Sequence, residues 1–255
     1  MASPVETATA PIKSLSQIIV VLSCTVLFFF HGHYYLIIPG LTFLTAGMLL
    51  LRLPTWKFLL LCLTFLSGCA VDTLLPPLWW GIIQPLAVGL LFLILLRHDF
   101  LASLRLPKIT WALWLVPIFV LIAGYAMDLW FKSHPPSGLI ASFRHQPVWF
   151  LWFAFPTLMA LNATGEEMMF RGAFFCSLRP AFGTIPSVAV QALAFGLWHW
   201  YGGIPNGWSG FLMTFSFGLG MGWLRVVTGS LWPGIVVHAA VGVFMAWWVT
   251  GPNVY

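Results

Sequence analysis

The chain has 255 residues, of which 60% are hydrophobic and only 7% charged, and its formal net charge is +5. A soluble domain carries about 25% charged residues. The composition therefore excludes an ordinary soluble fold and points to an all-α, polytopic transmembrane bundle of about eight or nine membrane helices. The positive charge does not imply nucleic acid, because the basic residues stand singly between apolar runs and read as topology signals at a lipid bilayer.

Residues 1–14 contain Pro4 and Pro11 and form a short N-terminal tail. Lys13 and the apolar run from Ile18 look like the start of a signal peptide. No small-residue cleavage site follows, so the run from Leu15 to Phe30 is a first membrane helix. His31-Gly32-His33 breaks it, and a second helix runs from Tyr34 to Leu51. A third covers Phe58 to Val71 and a fourth Leu78 to Leu96. Arg97 to Lys108 is the most charged loop. A fifth helix covers Ile109 to Phe131, and Lys132 to Pro147 is a polar loop. A sixth begins near Pro156 and ends near Leu178. Pro186–Trp200, Trp208–Leu224 and Leu231–Val249 complete the set.

Alternating crossings place Lys13, Arg52, Lys57, Arg97, Arg105, Lys108, Arg179 and Arg225 on one side. Only Lys132 and Arg144 fall on the other, an asymmetry that makes the N-terminus cytoplasmic. One integral domain results, with N-terminal helices over 15–145 and a polar-bearing core over 146–255. Cys24, Cys62, Cys69 and Cys176 all lie in apolar runs and show no zinc or disulfide spacing.

That core carries three polar signals on successive helices. The first is Gly165-Glu166-Glu167-Met168-Met169-Phe170-Arg171. Three charges at mid-membrane cost on the order of 8–10 kcal/mol unless offset. Glu167 and Arg171 are four residues apart, hence on one helix face and able to pair. Glu166 is turned about 100° away and has no basic neighbour at helical spacing. The second signal is His199, in Phe195-Gly196-Leu197-Trp198-His199, and the third is His238. A rise of 1.5 Å per residue puts Glu166 about 15 Å into its helix and His238 about 10 Å in from the opposite end. A carboxylate and a histidine sharing a water make a general-base system. A second histidine can donate to a developing oxyanion. No serine or cysteine is placed as a nucleophile beside them.

In this order the three motifs resemble the CPBP family of intramembrane proteases, which includes the CAAX prenyl endopeptidases and bacterial relatives linked to bacteriocin self-immunity. The resemblance covers roughly residues 150–250 and implies an intramembrane glutamic endopeptidase. It implies that Glu166 and His199 activate water and that His238 belongs to an oxyanion-binding set. Glu167, Arg171 and Phe195 shape the site. The family's third motif usually places an asparagine four residues after the histidine, where this chain has Gly242. Asn162, four residues before Glu166 and on its face, is a candidate replacement donor.

The rival readings are an ion- or proton-coupled transporter and a catalytically weakened membrane scaffold. A transporter more often shows an internal repeat and paired broken helices, and neither is visible. No cofactor is expected; a divalent metal held by Glu166, His199 and His238 is the minority alternative. The expected partner is a membrane-anchored peptide or the tail of an exported protein, in preference to a prenylated C-terminus, at a bacterial inner membrane. Gly218-x-x-x-Gly222, with Gly210 and Gly220, marks a helix-packing face. Asp128 has a capping or interfacial role.

Overall fold

A computed structural model describes residues 83–95, 97–107, 111–134, 146–201 and 204–250, with single positions at 38, 42, 45, 60, 63 and 67. The N-terminal tail and the first three expected helices lie outside the described residues, apart from those single positions. All regular elements among the described residues are helical. In chain order they are α1 (Ile83–Leu95), α2 (Arg97–Ser103), α3 (Leu115–Ser133), α4 (Phe155–Glu167), α5 (Phe175–Phe182), α6 (Thr184–Tyr201), α7 (Gly207–Thr228) and α8 (Trp232–Thr250). A 3-10 turn at Trp111–Trp114 leads into α3.

The sixth predicted helix is longer than its apolar run suggests. Helical backbone continues from residue 148 to residue 182, about 50 Å at the α-helical rise. Two π-turns interrupt it, at Phe150–Ala154 and Met168–Phe174. The first has a local cause. Pro156 donates no hydrogen bond and its ring crowds the carbonyl four residues back, and the wider turn just before it absorbs both. The second contains no proline and begins directly after Glu167, the kind of location where such bulges often occur.

The expected loop at Arg97–Lys108 is a correction. Residues 97–103 are helical, and Ser103 is fully buried. Its hydroxyl accepts a 2.8 Å hydrogen bond from Arg225 Nη2 at the end of α7. The Trp232 indole donates to the carbonyl of Leu104 at 2.8 Å, and the Ser230 hydroxyl to that of Arg105 at 2.7 Å. Charge there reflects an interfacial strap bound to the helix ends, not a free loop. Arg225 leaves α7 through Gly229, whose φ of 69° suits glycine and whose N–H closes on the Arg225 carbonyl at 3.0 Å.

The count of eight or nine spans is not confirmed. Among the described residues, Trp111–Ser133 and Gly207–Thr228 are long and apolar enough to cross a bilayer, and Trp232–Ala246 is a shorter apolar helix. The helix that ends in the acidic pair, α4, has 13 residues between its two π-turns and is too short by itself.

Packing sets these helices around a common interior. Met127, Trp130 and Phe131 of α3 meet Phe155 and Leu158 of α4 and Ala246 of α8. The glycine face of α7 does what its spacing predicts: a β-carbon at Gly218 would lie 3.0 Å from Ala192 of α6. The α6–α7 contact is the most extensive in the described fold. Asp128 links α3 to α8, accepting from the Trp248 indole at 2.9 Å while pairing with Lys132 at 2.6 Å.

Candidate active site

The α4 helix delivers two adjacent carboxylates about 100° apart around its axis, and the structure gives them different surroundings. Glu167 is completely buried and Glu166 is 6% exposed. Glu167 Oε1 lies 3.1 Å from Arg171 Nη1, the pair expected from their spacing. The Arg171 guanidinium sits 4.4 Å over the Phe195 ring, with Phe170 and Phe217 each at 6.0 Å. Three aromatic faces thus supplement one carboxylate in holding the cation. Gly234 of α8 makes room for Glu167: a β-carbon there would fall 2.8 Å from Oε2.

Glu167 has a second partner that spacing could not show. His238 Nδ1 lies 3.0 Å from Glu167 Oε1, while its Nε2 lies 3.6 Å from Glu166 Oε2. One imidazole on α8 therefore spans both carboxylates of α4. Phe195 and Phe217 approach it edge-on, with ring centroids at 5.8 and 5.1 Å. These contacts fix the ring's plane.

Glu166 has no arginine or lysine against it among the described residues. Asn162, one turn earlier, donates to its Oε1 at 3.0 Å. His199 is buried on α6, with Nδ1 3.1 Å from the carbonyl of Phe195. A carbonyl can only accept, so Nδ1 carries the hydrogen and the neutral ring keeps its lone pair on Nε2. Phe195 packs edge-on against His199 at 4.6 Å.

Glu166, His199, His238, Asn162 and Phe195 all line one cavity of about 720 Å³ between α3, α4, α6, α7 and α8. Most of the remaining wall is apolar, and Gly242 forms part of it. Glu167 and Arg171 do not line it; they lie behind His238 and Phe195. The sequence-derived residues are thus brought together in two layers, one facing the cavity and one supporting it.

Gly242 is explained by packing. A β-carbon there would lie 3.1 Å from Met159 Cβ, so α8 and α4 meet too closely for a larger side chain without adjustment. Sequence reasoning missed the Glu167–His238 contact and the role of Phe217 beside Arg171. Neither has a local signal, because both join residues on separate helices. Among the described residues, no group of three histidine, cysteine, aspartate or glutamate side chains is arranged to hold a metal ion. Cys176 is a free thiol on α5, away from the cavity lining.

Among the described residues, carboxylate and imidazole groups thus converge on one cavity between apolar helices. Residues 147–244 match the family model described as type II CAAX prenyl endopeptidase Rce1-like. This match, over less than half of the chain, supports a likeness to the CPBP/CAAX protease family, a family of integral membrane proteases. Neither the curated proteins nor the solved structures gave a match.

Proposed function

We propose that this chain is an intramembrane endopeptidase that cleaves a membrane-anchored peptide or protein tail with water activated by Glu166 and His199. The observation that carries the reading is the shared cavity: Glu166, His199 and His238 face it, while the charge-neutralising Glu167–Arg171 pair is kept behind.

The chemistry follows from the atoms. Water bound between Glu166 and the His199 Nε2 lone pair gives a proton to the carboxylate as its oxygen bonds to the scissile carbonyl carbon. The developing oxyanion is placed to take a hydrogen bond from His238 Nε2, the ring nitrogen on the cavity side, while Nδ1 is held against Glu167. The C–N bond then breaks, and the departing amine takes the proton from Glu166. Asn162 holds Glu166 in position through its Oε1. The scheme uses side chains alone and calls on no cofactor.

The family description names prenyl endopeptidases, and a prenylated tail is one form of membrane-anchored substrate. A cytoplasmic N-terminus is part of this reading, supported by the charge asymmetry along the chain, and so is a bacterial inner membrane. To test it, purified protein is given one peptide sequence in anchored and anchor-free forms. Faster cleavage of the anchored form supports membrane delivery, and equal cleavage of both rejects it.

A further inference from the structure

The strap that begins with α2 and the ends of α5 and α7 bring four arginines to one end of the bundle. Arg225 is held there by its 2.8 Å bond to the Ser103 hydroxyl. The Cys176 thiol of α5 meets the same two groups, and Arg179 follows it by about one turn of that helix. Arg105 stands two residues beyond Ser103, with its carbonyl fixed by the Ser230 hydroxyl at 2.7 Å. Arg97 opens α2. Arg97, Arg105 and Arg179 are exposed, and Arg225 is half-buried.

Charge at this end is unbalanced. The carboxylate that the described strap offers, Asp99 of α2, comes within 4 Å of none of these arginines. Arg179 repels Arg225 more strongly than Asp99 attracts it. Apolar surface adjoins the cations. Leu106, next to Arg105, is 85% exposed, and Trp232 is 42% exposed while its indole N–H is fixed to the Leu104 carbonyl. Val236, four residues along α8 and hence on the same face as Trp232, is 52% exposed.

We propose that this end of the bundle binds the headgroup of an anionic phospholipid, with Arg105, Arg179 and Arg225 on its phosphate and Trp232 beside its acyl chains. The site stands apart from the cavity and does not depend on the endopeptidase reading. Chemistry selects the occupant. A guanidinium presents a planar fork of donors that matches phosphate oxygens. A phosphate between Arg179 and Arg225 sets two attractions against their mutual repulsion. A zwitterionic headgroup carries its own cation, which the same arginines repel, so the lipid must be net negative. A soluble phosphate ester leaves Leu106, Trp232 and Val236 uncovered. Acyl chains cover them, at the level where indole rings settle in a bilayer.

The test purifies the full chain in detergent and counts bound lipid by native mass spectrometry, with phosphatidylglycerol, phosphatidylcholine and glycerol 3-phosphate as probes. The wild type should bind phosphatidylglycerol at least about tenfold more tightly than phosphatidylcholine. Glycerol 3-phosphate at the same concentration should displace neither lipid. Arg105→Gln combined with Arg179→Gln should weaken phosphatidylglycerol binding by about thirtyfold, the factor that two arginines supply at an anionic lipid surface. Arg105→Gln alone should weaken it by about fivefold. Both side chains are exposed, so the melting temperature should stay at the wild-type value and phosphatidylcholine binding should not change. Lys132→Gln, at the opposite end of α3, should leave phosphatidylglycerol binding unchanged. Equal binding of the two lipids overturns the site, and so does unchanged binding in the double variant. Displacement by glycerol 3-phosphate overturns the lipid as occupant. A loss in Lys132→Gln equal to that in Arg105→Gln assigns the effect to net charge and overturns the site as well.

Discussion

Arg171 has 1% of its surface exposed, and its one anionic contact within 4 Å among the described residues is Glu167. Truncating it removes that contact and the cation over Phe195, and leaves Glu167 buried with only His238. Losing one partner of a buried pair typically costs about 3–5 kcal/mol. Arg171→Ala is therefore expected to lower thermal stability in detergent well below that of Glu166→Gln, whose amide keeps the size of the acid and can still accept from Asn162. Equal melting of the two variants would count against the pair. This pair was legible in the sequence because four-residue spacing on a helix is a local property. The bridge from Glu167 to His238 was not, since 71 positions separate its ends and only tertiary packing joins them. Asn162 was legible for the reason Arg171 was: it stands one turn from the group it touches.

At the scale of helices, α4 and α8 approach closely at position 242, where a side chain fits only if Met159 gives way by a few tenths of an ångström. The family's usual asparagine would put its β-carbon 3.1 Å from Met159 Cβ. Gly242→Asn is expected to destabilise the protein by about 1–3 kcal/mol, the usual range for overpacking a filled site. Met159→Gly in the same chain should return part of that loss, because it removes the opposing β-carbon. Denaturation of the two single variants and the double variant checks the coupling. Additive effects would mean that the close approach is not what excludes a side chain there. Apolar runs located α3, α7 and α8 to within a few residues of their observed ends. They failed at α2, where charge was read as a loop although the segment is a helix pinned through Ser103. They also failed on the helix around Pro156. Hydropathy cannot register a π-turn that lets helical backbone pass through a proline.

The whole molecule separates its tasks by position. Arg225 and the strap from α2 lie at one end, Lys132 stands at the opposite end of α3, and Glu166 sits between them on a long interrupted helix. Fold class and the polar trio were readable because ionisable groups in apolar helices are rare and costly. The shape of the cavity was not readable, since its walls are ordinary apolar residues from five helices. The central claim is that Glu166 is the base that activates water. The measurement that tests it most directly compares cleavage of an anchored peptide by purified wild-type and Glu166→Gln proteins, with melting temperature followed in parallel. The account predicts that Glu166→Gln melts like the wild type and loses turnover by at least about a hundredfold, the range that removal of a general base produces. A well-folded Glu166→Gln protein that cleaves at the wild-type rate would contradict it.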